Sequence, residues 1–192
     1  INKLPTKAIN THPAANGCIF SFKRIKEKRI AKNGDSLFKM DASANVSVTR
    51  CTFKNVKKNS DYVKEAINLD TPDRETQGFH NDWSTYDKTP NQNVTIANCK
   101  FSNLGRAIGT HKYSANGEEQ IYHKNIVLRN NRIENMLWDS PVRVMNWSDS
   151  VLENNVISNV KQKEGTEPFV VINAGKAGYA GSVTITKITF VK

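Results

Sequence analysis

The sequence predicts an all-β fold, a right-handed parallel β-helix (a β-solenoid with three strands per coil), and three observations carry that prediction. A short phrase recurs: Asn45 to Val56 reads NVSVTRCTFKNV, Asn93 to Leu104 NVTIANCKFSNL, Asn125 to Met136 NIVLRNNRIENM and Asp149 to Val160 DSVLENNVISNV, with a weaker copy, SVTITKITF, from Ser182 to Phe190. Each copy alternates apolar and polar residues and then turns on an asparagine, the pattern of two short strands and not of a helix. The equivalent positions Val46, Val94, Ile126, Ser150 and Val183 lie 48, 32, 24 and 33 residues apart. Strands are kept while the links between them vary, whereas a helical repeat array would hold its period nearly fixed.

Between successive copies lies a third strand-like segment: Ser36 to Asp41 (SLFKMD), Glu65 to Asp70 (EAINLD), Arg106 to His111 (RAIGTH), Pro141 to Trp147 (PVRVMNW) and Phe169 to Asn173 (FVVIN). Two columns run through the phrase. One is Cys51, Cys99, Asn131, Asn155 and Ile188; the other is Asn55, Asn103, Asn135 and Asn159. Parallel strands stack about 4.8 Å apart, so identical turn side chains can bond along the stack, and an asparagine ladder is expected on the second column. Cys51 and Cys99 fall one coil apart on the core side, which favours buried thiols, with a stacked disulfide as the alternative. The stretch before Ser36, with Cys18 to Phe22 (CIFSF) and the run KRIKEKRIAKNG, reads as an irregular first coil. A single domain over 1–192 is expected, irregular over 1–35 and regular over 36–192. The last residues, TITKITFVK, form a rung with no covering turn, so the chain is expected to be part of a longer protein.

With these phrases in place the chain resembles the pectate-lyase-like right-handed parallel β-helix superfamily from about residue 36 onward. The segments AIGTH (Ala107 to His111) and SPVRVMNW (Ser140 to Trp147) are also similar to β-helix modules of surface proteins from Gram-positive bacteria, among them streptococcal plasmin- and fibronectin-binding adhesins. The resemblance implies a secreted or cell-wall-attached module that handles carbohydrate. The polygalacturonase series N-T-D, D-D and G-H-G is missing, as is a full calcium-site and arginine signature of pectate lyases.

Composition narrows the partner. The net charge of +10 favours an anionic one, such as an acidic polysaccharide, a host glycan or the acidic polymers of a cell wall. Lys23, Arg24, Lys26, Lys28, Arg29 and Lys32 carry much of that charge. Nucleic acid is not expected, because no recognised binding motif is present and aromatics are not interleaved with the basic run. No stretch approaches the roughly 20 apolar residues of a membrane span. His12, His80, His111 and His123 lack zinc-ligand spacing, so no metal site is read from them. A monomer is expected.

Strand parity points to a candidate site. If Phe38 and Met40, Ile67 and Leu69, Ile108 and Thr110, Val142 and Val144, and Val170 and Ile172 face inward, then Asp41, Asp70, His111, Arg143 and Asn173 face outward on successive rungs. Leu104 to His111 and Met136 to Arg143 are both seven residues, which sets that alignment. Two long links, TPDRETQGFHNDWSTYDKTPNQ after Asp70 and KYSANGEEQIYHK after His111, should wall a groove beside this column. They would bring Asp73, His80, Asp82, Trp83, Tyr86, Tyr113 and Tyr122 near it. Flat rings cover the apolar face of a sugar while polar groups bind its hydroxyls, so Trp147, Tyr113, His80, Trp83, Asp73 and Asn173 are the expected substrate contacts.

Three chemistries fit the column, with Asp70, His111, Arg143 and Asp41 as candidate catalytic residues. In glycoside hydrolysis two carboxylates about 5 to 5.5 Å apart favour retention, and Asp41 with Asp70 fits that spacing. In eliminative cleavage of a uronate polymer a base removes the proton next to the carboxylate. Resemblance to pectate-lyase-like enzymes implies Arg143 or His111 as that base, with Ca²⁺ held by Asp70, Asp73 or Asp82 where calcium is used. The third is binding without turnover, as in a surface adhesin for host glycans or extracellular matrix proteins.

Overall fold

The computed structural model of the chain describes residues 9–11, 19–21, 38–41, 43–54, 65–70, 89–110, 114–116, 119–136, 140–160, 170–173 and 183–191. Among these residues every regular element is a strand. All pairings are parallel except one short hairpin, Ser114–Asn116 against Glu119–Ile121.

The recurring phrase sets the register of the stack. Its first strands, Ala44–Thr49, Gln92–Ala97, His123–Arg129, Ser150–Ser158 and Val183–Val191, lie side by side in that order. Val46 pairs with Val94, Val94 with Ile126, Leu128 with Leu152, and Leu152 with Ile185. The second strands, Thr52–Lys54, Lys100–Leu104 and Arg132–Met136, stack in the same way, aligning Phe53, Phe101, Ile133 and Ile157. First and second strands form one curled sheet because Ser150–Ser158 runs through the corner and pairs with both series. The third strands, Phe38–Asp41, Glu65–Asp70, Arg106–Gly109, Val142–Met145 and Val170–Asn173, form a separate parallel sheet. Ahead of the first copy, Ile9–Thr11 joins the third-strand sheet beside Phe38–Met40, and Ile19–Ser21 joins the curled sheet beside Ser47–Thr49. The arrangement is compatible with a solenoid.

Among the described side chains, period-two alternation turns one face of the strands toward the core. Val46, Val48, Val94, Ile96, Ile126 and Leu128 from the first strands meet Phe53, Phe101 and Ile133 from the second. Phe38, Met40, Ile67, Leu69, Ile108, Val142 and Val144 close the core from the third. Each such side chain contributes about 1.5–3 kcal/mol by leaving water. In-register stacking also lays the Phe53 and Phe101 rings parallel, with centroids 5.0 Å apart and planes 4° from parallel.

The corners explain why asparagine recurs. Backbone φ is positive at Asn45, Asn93, Asn125 and Asp149; at Arg50, Asn98, Asn130 and Asn154; and at Asn103, Asn135 and Asn159. Asparagine tolerates this left-handed conformation better than other residues with a Cβ. Asn103, Asn135 and Asn159, of the column where a ladder was expected, take this turn conformation, and Asn55 of that column lies outside the described residues. Ladder hydrogen bonds are seen on two columns, one exposed and one buried. On the exposed one, Asn93 Nδ2 donates to Asn45 Oδ1 and Asn125 Nδ2 to Asn93 Oδ1, each at 2.9 Å.

The buried ladder is the one that begins with the cysteines. Asn131 Oδ1 accepts the Cys99 backbone N–H at 3.0 Å, and Asn155 Oδ1 accepts that of Asn131 at 3.1 Å. In the other direction Asn131 Nδ2 donates to the Ile96 carbonyl and Asn155 Nδ2 to that of Leu128, both at 2.9 Å. Cys99 Sγ makes the equivalent contact to the Val48 carbonyl at 3.5 Å. Cysteine and asparagine can each occupy this column because each can donate to the equivalent carbonyl of the preceding copy.

Replacing Asn131 with leucine is therefore expected to cost about 1–3 kcal/mol, since the Cys99 N–H loses its acceptor inside the core. Cys99→Asn, whose amide meets the same Val48 carbonyl, should stay within about 1 kcal/mol of the parent. Urea denaturation of the two variants measures both, and equal losses would show that the ladder is not what holds the corner.

Candidate functional site: the outward face of the third-strand sheet

Alternation fixes the two faces of the third-strand sheet. Ile67, Leu69, Ile108, Val142 and Val144 belong to the core, so Asn68, Asp70, Gly109 and Arg143 alternate to the opposite face. Asp41 pairs with Asp70, as the parity of the sequence implied. Arg143 pairs with Gly109, and Gly109 with Asn68, so Arg143 stands two residues away from the register expected of it. The cause is a longer link. Met136 is aligned with Leu104 and Val142 with Ile108, so the second connection holds two more residues than the first. An even difference moves Arg143 along the strand without turning it over. Met145, not Arg143, is in register with Asn173.

Asp70, expected to face solvent, is only 1% exposed. The end of its strand is fixed by Asn91. Asn91 Nδ2 donates to the Asp70 carbonyl at 2.9 Å and to that of Met40 at 3.3 Å, while Asn91 Oδ1 accepts the Ser43 N–H at 2.9 Å. Behind Asn91 lies His123, whose Nδ1 accepts the Asn91 backbone N–H at 2.9 Å. That bond places the imidazole proton on Nε2. Burial pushes the His123 pKa down to about 3, so the ring is neutral.

Trp147 does not face a groove. It is 1% exposed, belongs to the hydrophobic core and donates its indole N–H to Thr110 Oγ1 at 2.7 Å. That bond satisfies two polar groups which the interior would otherwise penalise. Asp41 and Asn173 are placed by their backbone pairing alone. His111, Tyr113, His80, Trp83, Asp73 and Asp82 lie outside the described residues, as does the basic run from Lys23 to Lys32.

The structure adds a cluster that parity did not reveal. Glu65 and Arg106 open adjacent third strands in register. Their side chains, both buried, form an ion pair with Arg106 Nη1 3.4 Å from Glu65 Oε1. Glu65 Oε2 accepts from Asn68 Nδ2 at 3.0 Å, and Arg106 Nε donates to the Ser140 carbonyl at 3.2 Å. A Cβ built on Gly109 would collide with Glu65 Oε1 and lie 2.8 Å from Arg106 Cδ and 3.4 Å from Arg143 Cβ. The pair thus lies across the strand at Gly109, on the face that Arg143 shares, and a glycine is needed to make room. The readable signal was opposite charge at equivalent positions, Glu65 in EAINLD and Arg106 in RAIGTH. Arg143, half-buried, is the cation of this group nearest to solvent. Its planar fork can take a carboxylate or sulfate in bidentate fashion.

Elsewhere the charge is partly internal. Glu134 is bonded to Lys100 at 2.7 Å and to Arg132 at 2.6 Å, and these cations, Lys100 first, hold its carboxyl below the usual range. Arg129 and Glu153 pair at 3.1 Å. Such exposed pairs contribute little to stability. Among the described residues no three His, Cys, Asp or Glu side chains gather as a metal would need, and no helix is long and apolar enough to cross a membrane. Comparisons with protein-family models, with curated proteins and with solved structures find no match to this chain.

Gly109→Ala is expected to lower stability by about 1–3 kcal/mol, because the new methyl must displace a buried ion pair. Thermal melting of the variant checks it. The pH dependence follows from His123. Its folded pKa lies far below that of an exposed histidine, so the unfolded chain binds the extra proton between about pH 6.5 and 3. This contribution is fully present above about pH 6.5 and is lost as the pH falls toward 3. In His123→Asn, urea midpoints should fall less over that range than in the parent; identical slopes would remove His123 as the cause.

Proposed function

We propose that the chain is a right-handed parallel β-helix of the pectate-lyase-like kind, three strands to a coil, and an extracellular carbohydrate-active module. It binds an acidic polysaccharide along the outward face of the third-strand sheet, and it is secreted or attached to a cell wall. The observation that carries this reading is the convergence of Arg143, the Glu65–Arg106 pair and Asn68 around Gly109 on one face. A cation rising from a buried, hydrogen-bonded frame suits the carboxylate of a uronate residue, and the net charge of +10 favours the approach of a polyanion.

Binding without cleavage, as in an adhesin for host glycans or matrix proteins, is favoured by one further observation. Among the described side chains of this face the carboxyl groups of Asp70 and Glu65 are both buried, and that of Glu65 is already paired with Arg106.

Incubation with a panel of uronate polymers separates the readings. Elimination raises the ultraviolet absorbance of unsaturated products, and hydrolysis releases reducing ends without it. Saturable binding of an acidic polymer with neither signal supports the binding module, and a failure to bind any acidic polymer overturns the proposal. Arg143→Ala should weaken that binding about tenfold or more while the melting temperature stays near that of the parent. Unchanged affinity would remove Arg143 from the site.

A further inference from the structure

The corner column holds two cysteines where it could hold asparagines. Asn131 and Asn155 do the same structural task in the later copies, bonding the carbonyls of Ile96 and Leu128 as Cys99 bonds that of Val48. The corner hydrogen bonds therefore do not require sulfur. Cys51 and Cys99 are also in register: Thr49 pairs with Ala97 and Thr52 with Lys100, and the Lys100 N–H donates to the Cys51 carbonyl at 2.8 Å. Strand spacing of about 4.8 Å puts their Cα atoms within the span of roughly 4.4–6.8 Å that a disulfide bridges. Both side chains are in the thiol form, 1% and 2% exposed, on the same inward face. They sit at the ends of a 48-residue interval, the longest between copies.

We propose that Cys51 and Cys99 are a dithiol that closes to a disulfide when the chain folds in an oxidising medium, stapling two adjacent copies across their longest link. With oxidised glutathione as oxidant, the thiolate of one cysteine attacks the glutathione disulfide. A mixed disulfide forms, and one glutathione leaves as its thiolate and takes up a proton. The second cysteine, giving up its own proton, attacks the protein sulfur of the mixed disulfide and displaces the second glutathione. Two protein thiols are oxidised and one glutathione disulfide is reduced to two thiols. Once the corner has closed, the hydrogen bond with the Cys51 side chain and, after it, burial hold the Cys99 thiol well above its ordinary pKa. Thiolate is then scarce, so exchange belongs to the folding chain. A cross-link over so long an interval removes much freedom from the unfolded ensemble.

The test is to refold the whole chain from denaturant in a mixture of oxidised and reduced glutathione and map its peptides without reduction. The expected product is a Cys51–Cys99 linked peptide pair, two hydrogens lighter than the separate peptides, with Cys18 still open to alkylation. Its melting temperature should stand about 5–10 °C above that of the same protein kept reduced. The double variant Cys51→Asn, Cys99→Asn keeps donors for the corner carbonyls and should melt at one temperature in both media. Alkylation of both Cys51 and Cys99 after oxidative refolding, capture of Cys18 in the bridge, or a redox-dependent melting temperature in the double variant overturns the proposal.

Discussion

The structure depends on closing a corner inside a stack without stranding backbone polar groups. At four junctions of first and second strand the chain bends through a left-handed residue, Arg50, Asn98, Asn130 or Asn154. Buried N–H and C=O groups must find partners there, as anywhere in an interior. Backbone bonds to neighbouring copies meet part of the need, with Asn98 N–H donating to the Arg129 carbonyl and Arg132 N–H to that of Cys99. The side chain that follows the bend meets the rest, as Asn131 and Asn155 do. A solution that works between two copies works between the next two, and the stack grows by repetition.

Repetition at the corners frees the third-strand sheet to differ. Its inward residues remain Phe, Ile, Leu, Met and Val, while its outward residues include Asn68, Asp70, Gly109 and Arg143. The two faces are coupled through Asn91, which ties the ends of two neighbouring third strands at Met40 and Asp70 and rests against neutral His123. The strand that carries Asn68 and Asp70 thereby has its end held from inside the core. Rigid mounting of this kind is what a site needs when geometry carries its specificity.

Much of this was legible in the sequence, and the limits have physical causes. The first and second strands could be read because their period-two pattern and turn asparagine repeat with no change of length between them. The inward parity of Ile67, Leu69, Ile108 and Val142 followed from the same alternation. The position of Arg143 did not, because spacing counted from Met136 cannot reveal two residues absorbed before Val142. Nor did the burial of Asp70 and Glu65, since alternation says which way a side chain leaves the strand and nothing of what packs over it. Trp147 was misplaced for a related reason. An indole looks like a sugar platform until a buried hydroxyl, Thr110 Oγ1, is found to satisfy its N–H.

The exposed amide ladder has a sense of direction. Asn125 donates to Asn93 and Asn93 to Asn45, so every amide dipole in the run points the same way along the stack axis. Such a row can be extended at one end only by a side chain that donates and at the other only by one that accepts. The next position in register is Asp149, and a carboxylate has no hydrogen to give to Asn125 Oδ1. The ladder is therefore polar in the manner of a filament with two unlike ends. Copies of this phrase could be lengthened or exchanged only if that donor-to-acceptor order were kept.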